Sequence, residues 1–215
     1  MTRLVLFDYY RSSASYRARI ALNLKHLPYE RVSVDLLHGA QKEAEYRARN
    51  PQGLVPMLEA DGHRIGQSLA IVDYLDGIRP EPRLIPAEPI ARARVLGMAL
   101  AIACDIHPLN NLRVLKYLAG PLGLDDEARN LWYAHWVSEG FAALERMARE
   151  SAGRFLFGDT PTAADIFLVP QMFNARRFDV PVDIYPTLVR IDAEASSLPA
   201  FAAAHPDAIA AAKEG

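Results

Sequence analysis

Leu4-Val5-Leu6-Phe7, followed a few residues on by Ser12-Ser13-Ala14-Ser15-Tyr16-Arg17-Ala18-Arg19-Ile20-Ala21-Leu22, decides the fold. The first run is short and continuously apolar, the pattern of a strand buried on both faces. In the second, Ala14, Ala18, Ala21 and Leu22 recur at helical spacing, with Ile20, Leu24 and Leu27 widening the stripe. Arg19, Asn23 and His26 fall on the opposite, polar face of that helix. The stretch therefore reads strand, tight polar turn, helix, with serines where the helix begins. A helix N-terminus leaves backbone N–H groups unpaired and carries partial positive charge, so it favours an anion. One serine there is a cap. Three in four positions, with Arg11 beside them, exceed what capping requires, although this stretch alone reads as a redundant cap in a βαβ unit.

Working outward, Tyr29-Glu30-Arg31-Val32-Ser33-Val34-Asp35 alternates apolar and polar side chains and predicts a half-buried strand, parallel to the first through a right-handed crossover. Residues 41–50 are polar and weakly helical. Asn50-Pro51-Gln52-Gly53-Leu54-Val55-Pro56 is a loop. Met57-Leu58-Glu59-Ala60, Asp61-Gly62 and His63-Arg64-Ile65 predict a β-hairpin, because Asp-Gly suits the positive φ angles of its turn. Gly66-Gln67-Ser68 then opens a helix with Leu69, Ile71, Val72, Leu75 and Ile78 inward and Ser68 as its expected N-cap. The order βαβ(α)ββα is that of a thioredoxin-like fold with a four-stranded mixed sheet and two polar helix N-termini.

Residues 79–89 hold four prolines in eleven positions and can form neither helix nor central strand. Beyond them the sequence is helical throughout. A helix from Ile90 to Cys104 is bent at Asp105-Ile106-His107-Pro108 and resumes through Leu112, Val114, Leu115 and Leu118. Asp125 starts a long helix to about Glu150, lined by Leu131, Trp132, Ala134, His135, Val137, Ser138, Phe141, Leu144 and Met147. Thr162-Ala163-Ala164-Asp165 matches a capping box and opens a helix, Ala163 to Phe178, that is apolar on nearly every side. Two short helices follow, around 186–195 and 199–204, and an Ala-rich tail after His205 is expected to fray. The fold class is thus α/β plus all-α: a thioredoxin-like domain over 1–82, a linker over 83–89 and an all-helical domain over 90–215.

A net charge of -2 gives no reason to expect nucleic acid or an anionic membrane. No stretch is long and apolar enough to span a bilayer, and strand-like sequence at the N-terminus leaves no room for a secretory signal, so a cytoplasmic location is expected. The single Cys104 excludes an internal disulfide framework and reads as an inert buried thiol. Six histidines show no ligand spacing, so no metal is expected. Trp132 and Trp136, four apart, read as core or interface residues.

Four stretches, in order, resemble the zeta class of the cytosolic glutathione transferases, which includes maleylacetoacetate isomerases and bacterial maleylpyruvate isomerases. Arg11-Ser12-Ser13-Ala14-Ser15-Tyr16-Arg17 is similar to the signature Ser-Ser-Cys-Ser-x-Arg. Asn50 to Pro56 resembles the loop ending in Val-Pro, with a cis proline. Gly66-Gln67-Ser68-Leu69-Ala70-Ile71 resembles the segment that grips the γ-glutamyl end of glutathione, and Asn174-Ala175-Arg176-Arg177-Phe178 resembles Asn-Ala-x-Arg-Phe. The departure is Ala14, where the class usually has Cys. That residue's thiol is missing here, and side activities that use it are put in doubt.

The resemblance implies glutathione as cofactor and a small unsaturated dicarboxylic keto acid as substrate, in aromatic amino acid catabolism. Glutathione would be held by Ser12, Ser13, Ser15, Gln41, Val55, Pro56, Gln67, Ser68, Asn110 and Asn111. Its thiol would be kept ionised by Ser12 and the first helix dipole. The implied reaction is cis-to-trans isomerisation by reversible thiolate addition, with Ser12, Ser13, Arg11 and Arg177 catalytic. Arginines bind carboxylates bidentately, and Arg11, Arg177, Arg113 and Arg176 are the candidates for the substrate's two. Asp105 to Asn111 looks closer to the maleylpyruvate isomerases, which leaves the substrate open between the two maleyl acids. Two other functions compete: a general glutathione transferase or dehalogenase acting on electrophilic acids, and a non-catalytic interaction module on the same fold. A homodimer is implied by the resemblance alone.

Overall fold

The structure is a computed structural model that describes residues 2–212. It divides into two compact units, Met1–Leu84 with Ser197–Gly215, and Ile85–Ser196. In the first, β1 (Leu4–Asp8) is buried along its whole length and runs parallel to β2 (Glu30–Ser33). It pairs antiparallel with β3 (Met57–Ala60), which pairs antiparallel with β4 (His63–Gly66). The sheet order is β2-β1-β3-β4. The β3–β4 turn places Asp61 at φ 47° and Gly62 at φ 86°, the left-handed pair that the Asp-Gly dipeptide predicts. Helices α1 (Ser13–Leu24) and α3 (Ser68–Ile78) pack on each other, and a short α2 (Ala44–Arg49) precedes β3.

Register positions the functional loops. Phe7 lies opposite Met57, and Met57 opposite Gly66. The loop from β1 into α1, the loop entering β3 and the turn from β4 into α3 therefore all leave the same end of the sheet. Val55-Pro56 is cis, as the resemblance implies.

Among the buried charges of this unit, Arg19 and Lys25 break the amphipathic pattern through partners on other elements. Arg19 is wholly enclosed, not on a solvated face, and its Nη1 donates to Asp8 Oδ2 at 2.7 Å. Periodicity cannot anticipate this, because an enclosed guanidinium depends on an acidic partner brought in by another element. Lys25 is likewise enclosed, ion-paired with Asp76, and its Nζ donates to the carbonyls of Arg79 and Pro82 at 2.7 and 2.6 Å. Asp76 Oδ1 also accepts from Leu84 N at 2.9 Å. The proline-rich segment is thus pinned by its own carbonyls and amides up to Leu84.

The second unit is helical: α4 (Pro89–Leu100), α5 (Leu112–Ala119), α6 (Asp126–Ser151), α7 (Ala163–Arg177) and α8 (Pro186–Ser196). Between α4 and α5, Ala101–Ile106 forms a π-helical segment in which His107 N donates to Ile102 O at 2.9 Å. The wider turn rotates the following side chains away from the α-helical register. Cys104 is exposed as a result, correcting the expectation of a buried thiol. In α6, Tyr133, Val137, Phe141 and Leu144 form the inner stripe, whereas Leu131 and His135 face out.

The capping box at Thr162 is present. Asp165 Oδ2 accepts from Thr162 N at 2.8 Å, and Oδ1 accepts from Leu156 N at 2.8 Å. Desolvation outweighs these bonds and pushes the Asp165 carboxyl up to about 6. Glu145, buried in α6, accepts from Thr187 N and Leu188 N at the start of α8.

The chain end differs from its sequence reading. α9 (Pro199–Ala202) and α10 (Pro206–Ala211) pack with the first unit rather than closing the helical one, although chain order places them in the 90–215 domain. Tyr16 Oη, Arg19 Nε and Asn23 Nδ2 on α1 donate to the carbonyls of Phe201, Ala204 and Ala200. α10 is a helix where fraying was expected, because His205 Nδ1 caps Asp207 N and Ile209 is buried. The last residues, 213–215, lie outside the described ones.

Candidate active site

In the first unit the sequence-predicted residues converge on the sheet end defined above. Ser12 is the N-cap of α1: its backbone is extended, and its Oγ accepts from Ser15 N at 3.2 Å. A hydroxyl that accepts this bond keeps its proton to donate elsewhere. The cap and the ligand roles, alternatives in the sequence, are therefore compatible in one side chain. The three serines are not equivalent. Ser12 is half-buried, Ser13 is buried and Ser15 is fully enclosed, with its Oγ unbonded. Only Ser12 offers its hydroxyl at the surface. Ala14 is buried, so the usual cysteine position is an interior methyl here. Arg11 is exposed, with its guanidinium 5.2 Å from the Tyr10 ring centroid.

Val55 is half-buried, and neither its N–H nor its C=O has a partner among the described residues. Unpaired backbone beside a sheet is a template for an extended peptide. Gln67 rather than Ser68 is the cap residue of α3, with no side-chain cap bond. Its backbone sits at φ 65°, ψ 121°, a costly conformation for a residue with a Cβ. Its Nε2 donates to Gln52 Oε1 at 3.0 Å. Ser68 is instead the first helical residue, buried, with Arg17 Nη1 3.5 Å from its Oγ. The N-terminus of α3 is left without a side-chain acceptor, which suits an incoming carboxylate. Gln41 Oε1 is also buried without a hydrogen-bond partner.

The chemistry of these groups fits a γ-glutamyl tripeptide: an uncapped helix N-terminus suits a carboxylate, the unpaired Val55 backbone suits peptide groups, and a hydroxyl at the start of α1 suits a thiol. Sequence reasoning missed two features. The strained Gln67 backbone has no signal in residue type, and the enclosed Arg19 lies on the face that periodicity reads as polar.

The remaining candidates lie in the helical unit. Asn111 is committed to structure: its Oδ1 caps Arg113 N at 3.2 Å and its Nδ2 lies 3.3 Å from His107 Nε2. Asn110 is buried, donates to Tyr133 O at 3.4 Å and keeps its Oδ1 unbonded. Arg113 is exposed at the start of α5. Arg176 already has a partner: its Nη1 donates to the buried Asp192 Oδ2 at 2.6 Å. Burial raises Asp192, and Arg176 opposes that shift. Arg177, the next residue, is exposed, with its guanidinium 5.4 Å from the Phe178 ring centroid. Phe178 stacks on Tyr133 at 4.0 Å, and burial pushes the Tyr133 hydroxyl well above its usual range. Trp132 Nε1 donates to Leu109 O at 2.8 Å. Among the described residues no cluster of His, Cys, Asp and Glu is arranged to hold a metal, and no helix is long and apolar enough to cross a membrane.

Family models place the chain. Residues 6–83 match the glutathione S-transferase N-terminal domain and residues 130–206 the C-terminal domain. The chain belongs to the glutathione transferase family. Within it the likeness runs to the zeta class. A holo structure of a maleyl pyruvate isomerase, described as a bacterial zeta-class glutathione transferase, superposes with a TM-score of 0.93 at 44% identity, covering 95% of this chain and 97% of that one. A maleylacetoacetate isomerase from Rhizobium meliloti is 51% identical over 94% of this chain and 96% of its own length. A maleylacetoacetate isomerase from Anaeromyxobacter dehalogenans, solved with dicarboxyethyl glutathione and citrate in its active site, gives a TM-score of 0.87 at 42% identity, covering 96% of this chain and 95% of that one.

Proposed function

We propose that this enzyme is a glutathione-dependent cis–trans isomerase of a maleyl keto acid, maleylacetoacetate or maleylpyruvate. The observation that carries the reading is the open Val55 backbone beside an uncapped α3, at the same sheet end as the half-buried Ser12. Bound glutathione supplies a thiolate that adds reversibly to the substrate alkene, freeing the carbon–carbon bond to rotate, and is recovered unchanged.

The chain's own residues hold and polarise. The α3 N-terminal amides and Gln67 take the γ-glutamyl carboxylate. Val55 pairs with the cysteinyl backbone, and Gln41 accepts an N–H. The Ser12 hydroxyl donates to sulfur while the α1 dipole favours its anion, with Ser13 and Ser15 shaping the pocket wall behind it. Arg11 is the first guanidinium offered to a substrate carboxylate, and Arg177 and Arg113, both exposed, are the further candidates. Asn110 keeps one open acceptor. A cytoplasmic location fits the single cysteine, and we infer a homodimer, to be read by light scattering.

The test is turnover of maleylpyruvate and of maleylacetoacetate with catalytic glutathione. Isomerisation with no net loss of glutathione is expected for one of the two. Stoichiometric consumption of glutathione would show a transferase instead, and failure to bind glutathione would leave only an interaction module.

A further inference from the structure

Arg19 is fully enclosed in the first unit, and its donors reach the end of β1, the loop that follows it and the distant α9–α10 junction. Nη1 donates to Asp8 Oδ2 at 2.7 Å, Nη2 to Tyr10 O at 3.0 Å and Nε to Ala204 O at 3.0 Å. Asp8 ends β1, Tyr10 lies in the loop that leads to Ser12, and Ala204 joins α9 to α10. Asp8 is braced from the other side by Arg31, whose Nε lies 3.3 Å from both carboxylate oxygens. Within the loop, Ser12 N also donates to Tyr9 O at 2.9 Å.

An enclosed ion pair is weak support for stability, since apolar residues of like volume often do as well. A guanidinium does something they cannot: its planar fork fixes several acceptors in one geometry. We propose that Arg19 is a positioning residue for the glutathione thiol, clamping from within the loop that carries Arg11 and Ser12. The inference rests on the reading that Ser12 donates to the bound sulfur. Between the clamped Tyr10 carbonyl and Ser12 there is one residue, so a shift at Tyr10 passes to the Ser12 hydroxyl with little slack. Burial lowers the Arg19 pKa and Asp8 opposes it, consistent with a cation that is retained for its partners.

The test compares wild type, Arg19→Lys, Arg31→Ala and Ser12→Ala. Two readouts are taken: the pKa of the bound thiol, from thiolate absorbance against pH at saturating glutathione, and kcat with KM for glutathione, from rates at varied glutathione. Lysine keeps the charge at position 19 but lacks the planar fork whose separate nitrogens reach Asp8, Tyr10 and Ala204. In folded Arg19→Lys the bound thiol pKa is expected to rise toward that of free glutathione, with kcat down about tenfold and KM for glutathione little changed, in line with the cost of misplacing a catalytic group. Should Arg19→Lys fail to fold, Arg31→Ala decides, because it loosens Asp8 from a half-exposed edge strand. It is expected to shift the thiol in the same direction by less. A folded variant of either kind that melts earlier yet keeps the wild-type thiol pKa overturns the proposal and leaves Arg19 a purely structural clamp. Failure of the underlying reading looks different: in that case Ser12→Ala also keeps the wild-type thiol pKa.

Discussion

Replacing Ser12 by alanine removes two interactions with separable magnitudes. The first is the cap, in which Ser12 Oγ accepts from Ser15 N at 3.2 Å. Its loss destabilises the fold by about 1 kcal/mol. The second is the proposed hydrogen bond to the thiolate. A hydrogen bond to a charged group contributes about 1.5–3 kcal/mol, and one pKa unit is about 1.4 kcal/mol. The bound thiol should therefore titrate roughly 1–2 units higher in Ser12→Ala than in wild type, with kcat at neutral pH falling as the thiolate fraction falls. The α1 dipole is untouched by the substitution, so the thiol should still bind. Chemical denaturation reads the first effect, and thiolate absorbance with steady-state kinetics reads the second. A variant that loses the cap energy but keeps both thiol pKa and kcat would refute the assignment and return Ser12 to the role of a cap.

Adjacent arginines should behave oppositely. Arg176→Ala leaves the buried Asp192 carboxylate unpaired. Because the Arg176 side chain is 45% exposed, the cost should be about 1–2 kcal/mol, below that of breaking a fully buried pair, with KM for the maleyl substrate unchanged. Arg177→Ala should instead leave the melting temperature alone and raise that KM about tenfold. Paired melts and kinetics on the two variants check both outcomes. Asp165 should titrate in the folded protein near 6, above its unfolded value. The folded state then binds this proton more tightly, so the Asp165 contribution to stability is greatest below about pH 4 and declines as pH rises through 6. Carbon-13 NMR of the Asp165 carboxyl gives the midpoint directly, and a value below 4 would show that its three hydrogen bonds outweigh desolvation.

Much of this protein is fixed by local pattern. The apolar run of β1, the Asp61-Gly62 turn, the Thr162–Asp165 capping box and the proline-rich segment each set their own backbone through side-chain periodicity or φ preference, and all four appear where the sequence puts them. The serines at the start of α1, the Val55-Pro56 loop and the polar start of α3 were legible for the same reason, since each is a short motif. What tertiary structure alone decided is which polar groups are already paired. Arg176 and Asn111 stand among the candidates by sequence, but Asp192 and the Arg113 amide of α5 already engage them. Arg19 falls on the face that periodicity reads as polar, yet Asp8, Tyr10 and Ala204 close around it. Asp8 and Tyr10 are near it in sequence, but the crossing of strand and helix decides that they face it. Ala204 comes from the far end of the chain, so no local pattern shows the enclosure.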